Sequence, residues 1–76
     1  MEVKLNGKQI QTVSKSLLEL LQEYHIEQKS VAVSINLEII KQDKWNTYEL
    51  KNGDVIECLT FMGGGWYLIF QKFIFV

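Results

Sequence analysis

One apolar helical stripe constrains the fold of this 76-residue chain more than any other feature of its sequence. Apolar side chains recur at i, i+3, i+4 and i+7, which is the spacing of one helix face: Leu17, Leu20, Leu21 and Tyr24. Ser16 and Glu19 fit a capping box, in which each side chain accepts a hydrogen bond from a free backbone N–H. We expect the helix to end near His25. The stripe needs an apolar surface to cover it, and the rest of the chain offers strands.

Strand patterns flank the helix on both sides. Asn6-Gly7 separates two alternating runs and predicts a hairpin with strands at about residues 2–5 and 8–13, because both central residues of a type I′ turn need positive φ. A β-branched strand follows the helix at 31–35, then a short return strand from 38 and a last strand at 55–60. One helix across one mixed sheet of four to five strands predicts a two-layer α+β fold, and this order permits the ubiquitin-like β-grasp.

The two periodicities together predict the core. We expect Trp45 to close a polar loop onto that core, as single tryptophans in such connections do. Cys58 shares a strand face with Ile56, which is typical of a small buried hydrophobe rather than a reactive thiol. The predicted core joins helix and strand positions: Leu17, Leu20, Leu21, Val33, Ile35, Ile56 and Cys58.

Composition excludes several classes of function. The formal charge is −1 and the sequence contains no basic stripe, so we expect no nucleic-acid partner. A single cysteine forms no internal disulfide, and residues 1–11 lack the apolar core of a signal peptide; both favour a reducing compartment, the cytoplasm or an organelle stroma. His25, the only histidine, has no metal-ligand spacing to any Cys, Asp or Glu, and no catalytic triad or CxxC can be assembled. We therefore predict a protein that is not an enzyme and holds no metal.

The unusual feature is the run Gly63-Gly64-Gly65 after Phe61-Met62. A phosphate-binding loop needs a helix after its glycines, and the residues from Trp66 onward have the composition of a strand. Two readings stay open. The glycines are either a flexible connection between two strands or a reactive arm that threads a narrow channel and presents a terminal carboxylate.

Residues 1–65, which are 65 of the 76 residues, resemble the ThiS family, the sulfur carriers of thiamine thiazole biosynthesis. Asn36 followed by Glu38, with Trp45 downstream, favours this family over the molybdopterin-synthase small subunit, a related β-grasp protein that also ends in Gly-Gly. The resemblance runs through a series of short motifs: Lys4-Leu5-Asn6-Gly7, Leu18-Glu19-Leu20-Leu21, Val31-Ala32-Val33-Ser34-Ile35-Asn36, Glu38-Ile39-Ile40, Trp45, Leu50 with Gly53-Asp54, Glu57 to Thr60 and the three glycines.

The resemblance implies a carrier cycle. Gly65, as a terminal glycine, is adenylated by a ThiF-type adenylyltransferase that uses ATP, with Gly63 and Gly64 as the flexible arm. Sulfur from a cysteine desulfurase relay then replaces AMP and leaves a thiocarboxylate, which a ThiG-type thiazole synthase consumes. No cofactor is bound permanently, and no membrane is involved.

Two features depart from the family. Leu37 stands where the family usually has glycine, so we expect the bend at 36–38 not to need positive φ there. The chain also continues past the glycines with an apolar tail, residues 66–76, which is too short to span a bilayer. The predicted domain is 1–65, and the tail is a removed pro-segment, a boundary artefact or an extra strand. With the tail retained as a strand, the alternative function is a non-catalytic β-grasp interaction module.

Overall fold

The computed structural model describes residues 1–62 and 65–68. Within these ranges the elements follow one another as β1 (Glu2–Leu5), β2 (Lys8–Gln11), α1 (Leu17–Glu23), β3 (Val31–Ile35), β4 (Glu38–Ile40), a 3₁₀ turn (Gln42–Lys44), β5 (Val55–Met62) and β6 (Gly65–Leu68). The predicted order of hairpin, helix, strand, short strand and strand is confirmed. Over the same ranges, no helix has the length and apolar character needed to cross a membrane.

The strands form one mixed sheet with β5 near its centre. Along the sheet the order is β2-β1-β5-β3-β4, and β6 pairs with β5 outside this path. β1 runs parallel to β5, whereas the β1–β2, β3–β4, β3–β5 and β5–β6 pairs are antiparallel. Helix α1 packs its leucines into the core that the strands share. This two-layer arrangement confirms the predicted α+β, ubiquitin-like β-grasp fold.

Within residues 1–62, two short turns join paired strands, and one of them contradicts the sequence-based expectation. Asn6 and Gly7 have φ of 50° and 86°, as predicted for the first turn. In the second turn Asn36 has φ 53° and Leu37 has φ 72°. The expectation that Leu37 avoids positive φ is therefore wrong. Ile35 pairs with Glu38, so only two residues connect β3 to β4, and such a short link needs left-handed backbone even at a leucine.

Both ends of α1 are capped. Ser16 Oγ accepts the Glu19 N–H at 3.1 Å, and Glu19 Oε1 accepts the Lys15 N–H at 2.8 Å, so the predicted capping interactions are present. The helix ends with Glu23, and His25 has φ 56°. The N–H groups of His25 and Ile26 donate to the carbonyls of Gln22 and Leu21 at 3.1 and 2.9 Å. This pattern is a Schellman motif in which the histidine takes the left-handed position that glycine usually fills.

The predicted core is confirmed at every position. Its seven residues are at most 1% exposed, and Trp45 is 2% exposed. Trp45 also donates its indole N–H to the Ile40 carbonyl at 2.9 Å, which fixes the loop after β4 onto the core. The remaining buried apolar side chains complete this cluster: Val3, Leu5, Ile26, Ile40 and Leu50. Tyr24, the last residue of the predicted stripe, is only partly buried against it.

The second strand is shorter than its alternation predicts. β2 was expected to reach residue 13, but it ends at Gln11, and Val13 is 91% exposed. Thr12 and Ser14 point inward instead and donate their hydroxyls to Glu23 Oε1 at 2.6 and 2.9 Å. The polar segment before the helix is therefore attached to the end of α1 through the Glu23 carboxylate.

Candidate functional site

Strand β5 leads directly into the glycines. It is eight residues long, two residues longer than predicted, and ends at Met62. Strand β3 pairs with it from Ile35 opposite Ile56 to Val31 opposite Thr60. Thr60 is also tied across this pair, because its hydroxyl donates to the Ser30 carbonyl at 3.1 Å. The segment that precedes the glycines is therefore held in the sheet by its pairing with β3.

Along the other edge of β5, three parts of the protein in succession provide partners for the backbone groups. The first is β1, whose Lys4 N–H donates to the Asp54 carbonyl at 2.9 Å and whose neighbour Asn6 donates its N–H to the Ile56 carbonyl at 2.8 Å. The second is the Asn6 side chain, whose Oδ1 accepts the Cys58 N–H at 2.7 Å. β1 ends at Leu5, and this carboxamide continues the ladder by one more position where the backbone turns away.

Strand β6 is the third part of the protein that pairs with this edge of β5. Thr60 lies opposite Tyr67, and Met62 lies opposite Gly65. Successive residues of a strand turn their backbone groups to opposite edges, so the even-numbered residues of β5 all face the side shared by β1 and β6. Cys58 faces this edge too, but its N–H already donates to the Asn6 side chain and is not paired with β6.

Gly65 is the only one of the three predicted arm residues that the described ranges include. It begins β6, opposite Met62, and its carbonyl belongs to the peptide bond with Trp66. Gly63 and Gly64 lie outside the described residues. The predicted mobility of the arm at residues 63–65 stays a prediction. The predicted boundary between 65 and 66 falls within β6.

The remaining chemistry-bearing residues are not gathered around the glycines. Burial raises the pKa of the Cys58 thiol from 9.0 to about 12, so the nucleophilic thiolate is scarce at neutral pH. His25 is exposed at the end of α1. Among residues 1–62 and 65–68, no three His, Cys, Asp or Glu side chains come together as a metal site. The described part of this site thus offers backbone groups, not acid–base or metal-binding side chains.

An open groove of about 290 Å³ lies at the opposite end of β5. It is formed where β5 begins, next to the first hairpin, whereas the glycines follow the last residue of the same strand. Its lining is Glu2, Val3, Lys4, Gln9, Asn52, Gly53 and Val55. The groove therefore contributes nothing to the candidate site.

Sequence reasoning missed the role of Asn6. The residue was recognised for its turn conformation, yet its side chain is 3% exposed and bonds a strand 52 positions away. Its Nδ2 group has no hydrogen-bond acceptor within the described ranges. No local pattern signals such a contact, because it depends on which strand the turn meets.

Comparison with known proteins extends these observations. The model of the ThiS family matches residues 3–65. The sulfur carrier protein ThiS of Bacillus subtilis is 38% identical over 65 residues, covering 83% of this chain and 98% of that protein. A thiazole synthase of Paramagnetospirillum magneticum is 32% identical over 66 residues, which are 86% of this chain but 20% of that larger protein.

A solved structure agrees in fold with most of the chain. The crystal structure of the thiamine biosynthesis protein ThiS from Geobacter metallireducens superposes with a TM-score of 0.74 at 32% identity, covering 86% of this chain and 100% of that one. The family match spans the β-grasp elements from β1 to the first residue of β6. This chain belongs to the ThiS family.

Proposed function

We propose that this chain is a sulfur carrier protein of thiamine biosynthesis that is adenylated and then thiocarboxylated at Gly65, in a form that ends there. The observation that carries the proposal is the position of the glycines. The central strand of a ThiS-family β-grasp domain ends at Met62, the residue before Gly63 in the sequence, and the family match stops at residue 65. A glycine arm on a rigid strand can enter a narrow channel, because it has no side chains to exclude.

The chemistry needs a free carboxylate at the end of the arm. A carboxylate resists nucleophiles, whereas its mixed anhydride with AMP has a good leaving group. Attack of the Gly65 carboxylate on ATP releases pyrophosphate and forms that anhydride. The terminal sulfur of a persulfide from a cysteine desulfurase relay then displaces AMP and forms an acyl disulfide. A second thiol attacks that disulfide, which leaves the thiocarboxylate and a new disulfide between the two thiols. In the 76-residue chain Gly65 has a peptide carbonyl instead, so the tail must be absent or removed.

The partners supply the catalysis. A ThiF-type adenylyltransferase binds ATP and activates the glycine, and a ThiG-type thiazole synthase takes the sulfur. The thiazole synthase that contains a region similar to this chain supports the second partner. The buried, high-pKa thiol of Cys58 also supports a carrier that uses its terminus rather than a cysteine. We place this cycle in the cytoplasm or an organelle stroma.

The direct test compares two forms of the protein, residues 1–65 and residues 1–76. Each is incubated with a ThiF-type adenylyltransferase, ATP and a sulfur donor, and intact mass is measured. We expect the mass change of replacing one oxygen by sulfur in the 1–65 form alone. A matched control is a 1–65 form carrying Gly65→Val, whose branched terminus should not fit a channel shaped for glycine. Equal sulfur gain by the full-length form, with its tail retained, would refute the proposal.

A second candidate function is a non-catalytic β-grasp interaction module. The pairing of β6 with β5 favours it, since a tail built into the sheet leaves Gly65 inside the chain. Intact mass of protein from its native cell separates the two. A mass ending at Gly65 supports the carrier, and a retained tail in every preparation supports the module. The related molybdopterin role is tested by offering the thiocarboxylate to the large subunit of molybdopterin synthase.

A further inference from the structure

The last two residues of β5 whose backbone groups face the edge shared by β1 and β6 are paired with strand β6. Asp54, Ile56 and Cys58 are satisfied on this edge by β1 and by the Asn6 side chain. Thr60 and Met62 face the same edge and are paired with Tyr67 and Gly65 of β6. A chain that ends at Gly65 lacks residues 66–68 of β6, so the N–H and C=O groups of Thr60 lose Tyr67 as their partner, and Met62 has only the terminal Gly65 opposite it. Open strand edges of this kind pair readily with other extended segments.

We infer that this edge of β5 is a docking site for an extended segment of the activating enzyme, and that β6 occupies the site in the 76-residue chain. The inference rests on the proposed carrier function for the identity of the partner. It adds a surface and a binding mode, which is the addition of a strand to the sheet through backbone hydrogen bonds. The tail then blocks activation twice, because it leaves Gly65 with a peptide carbonyl instead of a carboxylate and because β6 fills the edge.

The position of the edge explains why such docking would be productive. Met62 is the last residue of β5, and the arm begins at the next residue. A partner strand hydrogen-bonded to Thr60 and Met62 would hold the chain extended up to the point where the arm starts. The bound partner strand would then guide Gly63–Gly65 in the direction in which the partner strand itself runs. Fixing the approach of the arm removes much of the orientational freedom that the carboxylate must otherwise lose on reaching ATP.

Two features of the structure limit this edge of β5 to pairing with one short extended segment. The Asn6 carboxamide bonds the Cys58 N–H and so closes the edge on the β1 side. On the other side of β5, strand β3 covers Leu59 and Thr60, which leaves one edge available there. The segment that occupies it in this structure, Gly65–Leu68, has the sequence Gly-Trp-Tyr-Leu. We therefore expect a partner segment of about four residues with apolar or aromatic side chains.

The test uses the 1–65 protein and a synthetic peptide of residues 65–72 with a lysine tail for solubility. Two matched peptides carry a single backbone N-methyl group. At Tyr67 the methyl replaces an N–H that faces β5, and at Trp66 it replaces one that faces away. We expect the unmodified peptide to shift the amide resonances of Thr60 and Met62. N-methylation at Tyr67 should weaken binding by about tenfold or more, whereas N-methylation at Trp66 should change it far less.

The same peptides identify the partner surface. Binding of 1–65 to the ThiF-type enzyme is measured without ATP, so that no chemistry is required. We expect the unmodified peptide to compete and the Tyr67-methylated peptide to compete at least about tenfold less well. The inference would be overturned if the two methyl groups had equal effects or if the peptide shifted amide resonances other than those of Thr60 and Met62. It would also be overturned if bound peptide did not reduce the binding of 1–65 to the enzyme. If the peptides discriminate but 1–65 is never adenylated, the proposed function fails instead.

Discussion

The side-chain carbonyl of Asn6 accepts the backbone N–H of Cys58 at 2.7 Å. Asn36 makes the equivalent contact in the other turn, since its Oδ1 accepts the Val55 N–H at 3.0 Å. Each asparagine also donates its own N–H to β5, to the carbonyl of Ile56 or of Val55, at 2.8 Å in both cases. The two turn asparagines therefore hold the central strand from its two edges, one inside the protein and one at the surface.

Replacing Asn6 with glycine should destabilise the protein by about 1–3 kcal/mol. Glycine accepts the positive φ of this position, so the loss comes from the Cys58 N–H, which is left buried without a partner. The measurement is urea unfolding, together with hydrogen exchange at the Cys58 amide. Asn36→Gly is the matched control. It removes the equivalent acceptor and also the hydrogen bond from Asn36 Nδ2 to Asp54 Oδ1 at 3.1 Å, but at an exposed residue where water can replace both groups, so it should cost clearly less. Equal costs would mean that burial does not set the strength of these contacts.

Leu37→Gly should stabilise the protein by about 1 kcal/mol. Leu37 holds φ 72° while its side chain is 89% exposed, so it bears the cost of left-handed backbone and gains little burial in return. The larger chain entropy of glycine in the unfolded state offsets part of the gain. The urea midpoint measures the change. Leu37→Ala keeps the backbone cost and should give no comparable gain. A destabilised glycine variant would show that the exposed leucine makes a favourable contact.

Stability should fall at alkaline pH because of Cys58. Burial raises the pKa of this thiol from 9.0 to about 12 in the folded state. The contribution of the protonated Cys58 thiol to the free energy of unfolding is therefore fully present below pH 9. It is lost as pH rises towards 12, because the unfolded chain releases the proton first. The slope attributable to one such group is about 1.4 kcal/mol per pH unit.

Cys58→Ala provides the comparison for this pH dependence. The variant should be less stable at pH 7 by about 1–2 kcal/mol, the cost of a small cavity at a fully buried site. Its free energy of unfolding should nevertheless fall less steeply between pH 9 and 11 than that of the unmodified chain. Tyr24 and Tyr48 also have raised pKa values, mainly through burial, and are present in both proteins, so they cancel in the comparison. Parallel pH curves would contradict the assignment to Cys58.

The sequence predicted what local patterns control. The capped helix at Ser16, the Asn6-Gly7 turn and the burial of Trp45 each follow from residues that are neighbours in the chain or share one period. The conformation of Leu37 was mispredicted because it is imposed by the pairing of Ile35 with Glu38, which leaves only two linking residues. The early end of β2 has a similar origin, since Thr12 and Ser14 find a partner in Glu23 on the helix.

The candidate site likewise has a part that the sequence predicted and a part that it did not. The glycines and Gly65 as the reacting residue were named from the sequence, and that role stays a prediction. The arrangement of the neighbouring edge could not be read from the sequence. It requires knowing that β1 ends beside Cys58, that the Asn6 side chain takes the next position, and that β6 takes the two after it. Each contact joins segments far apart in the chain, so no periodicity or spacing reports it.

Sulfur loading should be independent of the only cysteine. A carrier can in principle hold sulfur as a persulfide on a cysteine or as a thiocarboxylate at its terminus. Cys58 has no measurable exposure and a pKa of about 12, so neither access nor ionisation favours the first route. In the 1–65 form, Cys58→Ala should therefore gain sulfur to the same extent as the unmodified 1–65 chain. The measurement is intact mass after incubation with the adenylyltransferase, ATP and a sulfur donor.

Two controls make that comparison decisive. Circular dichroism must first show that the Cys58→Ala protein is folded at the assay temperature, since the variant is expected to be less stable. Fragmentation of the loaded protein then locates the sulfur, which should lie on Gly65 in both chains. In the native unmodified protein a thiol reagent should also label Cys58 only at the rate of unfolding, because a buried thiol reacts from the open state. Loss of sulfur gain in a folded Cys58→Ala protein would assign the chemistry to the thiol and contradict sulfur loading at the terminus.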